Sequence, residues 1–232
     1  MGLALETGIL SDLRTADKEG YECYHSQFEV VYGILKRNEI HSDFKEPDNL
    51  DAKLIWSTSM YGYSGLHYLR RLAACLWSGQ STIAPGDENA GESPFLYKYY
   101  ESLDKEEPFF SNLLQKFGVG KKKQSFDHLI LHSDAEGFYL PVDFEKVIID
   151  EDLLGGKLGS SIRLKRELER IANWLDLDLS MNIDSEEVWE APESQNNSPV
   201  KWKNFGVESY SCLNLYHACE ESIKNDCAIV FC

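Results

Sequence analysis

FDHLILHSDAEGFYLPVDF, residues 126–144, is the stretch on which the reading of the fold turns. Leu129, Ile130 and Leu131 form one apolar run and Phe138 to Val142 a second. Between them lies the polar cluster His132-Ser133-Asp134-Ala135-Glu136-Gly137. Two short apolar runs joined by a Gly-bearing polar turn predict a β-hairpin. Side chains alternate faces along a strand, so a first strand running into the turn sets His132, Asp134 and Glu136 on one face. His128 shares that parity and widens the candidate set.

Downstream, Val147-Ile148-Ile149 reads as a short strand. LLGGKLGSS (153–161) then opens a helix whose apolar set is Ile162, Leu164, Leu168, Ile171 and Leu175. Glycines, a lysine and hydroxyls before a helix are the ingredients of a nucleotide-phosphate loop, but that motif places Lys after the last Gly. Here Lys157 precedes Gly159, which excludes a nucleoside triphosphatase of that type and leaves a generic anion site at Gly159-Ser160-Ser161. Upstream, Pro108–Phe117 reads as a helix, followed by a Gly118-Val119-Gly120 turn and the solvated run Lys121-Lys122-Lys123.

Toward the N-terminus, Tyr21, Tyr24, Phe28, Val31 and Leu35 recur at three- and four-residue steps, the stripe of an amphipathic helix ending near Lys36-Arg37-Asn38. Lys53–Trp56 reads as a strand leading into STSMYGYSGLHYLRR (57–71). There Ser64 caps a helix whose start carries Gly65, His67, Arg70 and Arg71. Free backbone donors, a positive helix end and guanidinium groups suit an anion. The competing reading is an ordinary capped helix with its arginines paired to surface acids. Residues 78–94 read as a surface loop and 176–206 as an acidic polar connector. A helix over Tyr210–Ser222 and a terminal strand Ala228–Cys232 close the pattern, the apolar AIVF pairing inside a sheet.

The chain of 232 residues holds 39 Asp and Glu against 23 Lys and Arg, a net charge of −16. Such a chain repels phosphate backbones and anionic membranes, and it favours a basic protein partner on electrostatic grounds. Residues 176–193 alone carry seven acids and no Lys or Arg. The six cysteines form no Cys-x-x-Cys pair, so neither a zinc ribbon nor a thioredoxin-type centre is expected. No secretory leader opens the sequence and no apolar run is long enough to span a bilayer, so the expected location is cytoplasmic.

SMYGYSGLHYLRRLA (59–73), FDHLILHSDAEGFYLPVDF (126–144) and GGKLGSS (155–161), with the opening MGL and the Tyr21 helix, resemble a widespread group of uncharacterised bacterial and phage proteins. The resemblance spans most of the chain. It implies one bacterial-type domain and brings no activity with it.

The fold expected is α+β: a single domain over 1–232, with about four helices, a small, mostly antiparallel sheet and a central hairpin. The function expected first is a binding protein. Its polar cleft would hold an anionic, nucleotide-like small molecule, with no cofactor and no metal. The cleft would be walled by Tyr61, Tyr63, Ser64, Gly65, His67, Arg70 and Arg71, by His132, Asp134 and Glu136, and by Lys157 and Ser160, the tyrosines stacking on a ring. Two alternatives stand beside it. One is a metal-dependent hydrolase built on His132, Asp134 and Glu136. The other is an acidic immunity or anti-defence protein that blocks a protein partner.

Overall fold

The computed structural model describes residues 3–62, 64–104 and 125–231. The helix read over 108–117, the 118–120 turn, the three lysines 121–123 and Tyr63 lie outside the described residues. The class is mixed α+β. Its centre is a six-stranded sheet of β1 (Ala4–Thr7), β2 (Trp56–Ser59), β3 (Gly137–Leu140), β4 (Ile148–Ile149), β5 (Lys157–Ser160) and β6 (Ile229–Phe231). The strand order is β2-β1-β6-β3-β5-β4. Every pairing is antiparallel except β3 with β5, where Phe138 faces Leu158. The last strand is central: Phe231 pairs with Leu5 on one side and with Gly137 on the other.

The interior strands read as apolar runs because helices cover both faces. Side chains alternate accordingly. Phe138, Leu140, Leu158 and Val230 pack against α1 (Ile9–Ala16) and α2 (Lys18–Arg37) through Ile9, Phe28, Val31 and Leu35. Tyr139, Ile229 and Phe231 point to the other face. There they meet α3 (Ser64–Ser78), α6 (Ser161–Leu175) and α9 (Gly206–Asn225) through Leu69, Leu168 and Leu215. Between these lie α4 (Pro94–Asp104) and three helices of a single turn: α5 (Asp127–Ile130), α7 (Glu186–Trp189) and α8 (Lys201–Asn204). Asp17 caps α2 by accepting from the amides of Glu19 and Gly20, and Ser160 caps α6 by accepting from that of Arg163.

Two expectations are corrected. The central hairpin does not form. Residues 127–130 make one helical turn, and only the second run becomes a strand, paired with β5 and β6 rather than with its predecessor. The amides and carbonyls that a hairpin would place in a ladder are taken by distant side chains. Buried Glu167 accepts from His128 N at 3.1 Å and Leu129 N at 2.8 Å. The Tyr99 hydroxyl accepts from Phe126 N at 2.7 Å and donates to Asp127 at 2.6 Å. The helix count is also larger, with nine among the described residues. The four helices read from apolar periodicity are α2, α3, α6 and α9. The additional ones are short, from four residues to the eleven of α4.

Candidate functional site

Arg70 sits at the meeting point of the three segments singled out above. Its guanidinium is 3% exposed and donates to the carbonyls of Leu129 (2.8 Å), His132 (2.7 Å) and Ser133 (3.0 Å), with an ion pair to Asp134. A cavity of about 360 Å³ opens beside it, lined in part by His67, Arg70, Tyr100, His132, Asp134 and Lys157. Desolvation, with the Arg70 charge second, lowers the pKa of both His67 and Lys157. The three segments therefore do converge.

Their buried polar groups are already taken, however. The His132 ring stacks on Tyr139 at 3.9 Å, and its Nε2 donates to the Phe138 carbonyl at 3.0 Å, which fixes the proton on that nitrogen. Burial, opposed only in part by that bond, pushes its pKa down to about 3. A neutral ring whose Nε2 is spent in this way presents no metal-binding atom there. Asp134 is held by Arg70 and Glu136 is exposed, and the bent segment gives them no common strand face. Among the described residues no group of three or more His, Cys, Asp or Glu is placed to hold a metal ion, so the hydrolase alternative loses its basis.

The remaining candidates scatter. Ser160 is buried, donates to the Val142 carbonyl and caps α6. Arg71 reaches the Ala84 carbonyl at 2.9 Å. Gly65 is packed so closely on Ser211 of α9 that a Cβ there would lie 2.6 Å from its hydroxyl oxygen, and its amide donates to the Tyr61 carbonyl at 3.0 Å rather than to an anion. Ser64 makes a 3.5 Å contact to the Tyr61 carbonyl, and Tyr61 lies edge-on to Tyr210 at 6.3 Å.

A second surface carries a different chemistry. All seven acids of 176–193 are exposed, whereas Val188, Ala191 and Pro192 are buried beneath them. Asp176 pairs with Lys201 at 3.6 Å and Glu187 with Lys203 at 2.8 Å. Asp184, Glu186, Glu190 and Glu193 have no described cation within ion-pair distance, and Asp178 accepts only from Ser180. Asp184, Glu187, Glu190 and Glu193 recur every three residues through α7 and the 3₁₀ turn Ala191–Ser194. Helical neighbours at that spacing lie about 5–6 Å apart at Cβ, and each like-charged pair costs a few tenths of a kcal/mol.

Wholly buried Glu208 on α9 ties this segment to another acidic turn. It accepts from Gly86 N at 2.7 Å and Gln195 Nε2 at 3.0 Å, and Gln195 also donates to the Gly86 carbonyl. Asp87 and Glu88, in a stretch (72–97) without Lys or Arg, directly follow Gly86 and are thereby brought near Gln195. Two aromatic rings rise from the same region. Trp189 is 59% and Tyr61 46% exposed, each against Tyr210, which Asp184 also approaches. Sequence reasoning saw the acid run as composition. It missed Glu208 and Gln195, which belong to no motif.

A family model described as "Putative DNA-mimic protein" matches residues 1–231. No curated protein and no solved structure matches the chain. That description overturns the expectation of a cleft for an anionic small molecule, and with it the small molecule as partner. The protein-blocking alternative stands closer to it, and a basic protein partner is consistent with it.

Proposed function

The chain belongs to this DNA-mimic family, and on that footing we propose that it occupies the nucleic-acid-binding surface of a DNA-binding protein. The face it uses is the carboxylate surface of residues 176–193, extended by the turn carrying Asp87 and Glu88. The observation that carries the reading is the set of four exposed acids, Asp184, Glu186, Glu190 and Glu193, left without a described cation in a segment with no basic residue. Proteins that bind DNA neutralise phosphates with Lys and Arg and gain affinity from released counterions. A closely spaced file of carboxylates on a folded scaffold offers the same cationic groove a competing array of negative charge. Opposite fields also speed the encounter, so the complex forms fast at low salt and weakens as salt rises. An immunity or anti-defence role is this same contact seen from the partner's side.

The test is competition. Purified DNA-binding proteins from the source organism are each loaded on a fluorescent oligonucleotide, and its release on adding this protein is read by anisotropy. Release should be lost in the variant carrying Asp184→Asn, Glu186→Gln, Glu190→Gln and Glu193→Gln. Release by that variant at the wild-type concentration would refute the assignment of the face.

A further inference from the structure

We infer that the exposed rings of Trp189 and Tyr61, both seated on the buried Tyr210, stand in for unstacked bases, so that the partner is a protein that binds single-stranded nucleic acid. The inference rests on the DNA-mimic reading and adds to it the strand state being imitated.

A duplex shows its partners phosphates and base edges, while the faces of its bases are hidden in the stack. A body imitating a duplex exterior therefore needs carboxylates and has no use for open ring faces. A single strand differs in this respect. Its bases lie beside the phosphates with their faces available, and the proteins that hold it pair a cationic groove with aromatic platforms on which successive bases stack.

The surface described here combines both features. The Trp189 ring packs on Tyr210, whose hydroxyl also feels the Asp184 carboxylate, so the ring lies beside an acid of the file. Tyr61 reaches the same place from the other side of Tyr210, the ring centroids lying 5.7 Å and 6.3 Å from that of Tyr210. The residues around Trp189 that do enter the core, Val188 and Ala191, show that the local chain buries apolar groups where it can. Trp189 and Tyr61 stay more than two-fifths exposed. Large, stiff aromatic side chains flanked by charge are the common anchors of protein interfaces. Here the charge complementarity of the surrounding acids selects a cationic groove as their destination.

The experiment loads two proteins in parallel: a single-strand-binding protein on a fluorescent oligo-dT, and a duplex-binding nucleoid protein on a fluorescent duplex. The full chain is titrated into each. The inference expects release of oligo-dT at a concentration at least about tenfold below that needed for the duplex. It also expects Trp189→Ala and Tyr61→Ala each to weaken that release about tenfold, a loss typical of one stacked base. Trp189→Phe, which keeps a ring face, should restore most of the effect, and this separates loss of a ring from loss of folding. Preferential release of the duplex overturns the inference and leaves the DNA-mimic reading standing, as does oligo-dT release insensitive to both alanine variants. Release of neither oligonucleotide overturns both.

Discussion

Arg70 donates through Nε to the carbonyl oxygen of Leu129 at 2.8 Å, a bond that spans 59 residues of chain. With the bonds to His132 and Ser133 it replaces the ladder that a hairpin would have supplied. Arg70→Met removes the charge and strands three carbonyls and the Asp134 partner. Breaking one side of a buried charged network costs about 3–5 kcal/mol. At roughly 2–4 °C per kcal/mol for a chain of this size, the melting temperature should fall by about 6–20 °C. Glu167→Ala, which strands the amides of His128 and Leu129, should fall in the lower half of that range. Calorimetric melts showing a loss under about 2 °C for either variant would contradict the role given to these side chains.

Stability should decline on both sides of a mildly acidic optimum. Burial raises the pKa of Glu6 to about 7 and those of Glu46 and Glu167 to about 8, from an ordinary 4.5. A raised carboxyl binds its proton more tightly when folded. Its contribution is therefore complete below pH 4.5 and disappears as pH rises through 7 to 8. Burial lowers His128 to about 4 and His132 to about 3, so their contribution holds above 6.5 and is lost as pH falls toward those values. The melting temperature should accordingly be lower at pH 9 than at pH 6, and lower again below pH 4. Glu46→Gln should flatten the alkaline limb; an unchanged limb would remove Glu46 as its source.

The carboxylate file should be dispensable for folding. Asp184→Asn, Glu187→Gln, Glu190→Gln and Glu193→Gln relieve like-charge neighbours, each pair worth about 0.2–0.5 kcal/mol. Glu187→Gln gives up one exposed pair with Lys203 worth under about 1 kcal/mol. The combined variant should melt within a few degrees of the parent while the salt dependence of partner binding becomes shallower. A large drop in melting temperature would mean that the acids serve the fold instead.

Gly206 holds the acidic segment against α9 by having no side chain. A Cβ there would lie 1.7 Å from the Ala191 carbonyl oxygen and 2.9 Å from Pro192 N. Gly206→Ala must push the 191–194 turn away, at a cost of about 1–3 kcal/mol for overpacking. Hydrogen exchange should quicken over residues 186–205 and much less in β1 and β6. Uniform behaviour across the molecule would argue against a local lever.

The parts of the fold that were legible are those stabilised by their own periodicity. The stripe Phe28-Val31-Leu35 and the set Leu164-Leu168-Ile171-Leu175 are buried as expected, and the apolar AIVF does enter the sheet. Residues 126–133 were misread because their backbone partners are side chains from residues 70, 99 and 167, which no local pattern announces. The three segments 62–71, 132–137 and 155–161 could each be singled out by glycines, hydroxyls and charges, but their convergence is a tertiary fact that no local pattern carries. That the meeting point is a buried structural node was not legible either, since an arginine saturated by carbonyls and one waiting for a ligand look alike in sequence. The acidic face was visible only as charge: Glu208 and Gln195, which bring its two halves together, carry no signature.

The placement of β6 has a consequence for how the molecule is made. Among the described residues, 229–231 are the only strand bridging the β2-β1 pair and the β3-β5-β4 group. A nascent polypeptide still held on the ribosome short of that point has two unjoined half-sheets, each with a bare hydrogen-bonding edge. Joining them brings Leu5 to Phe231, a closure between residues far apart in sequence and a slow one. Synthesis of the acidic face is thus complete well before the scaffold that orients it can lock.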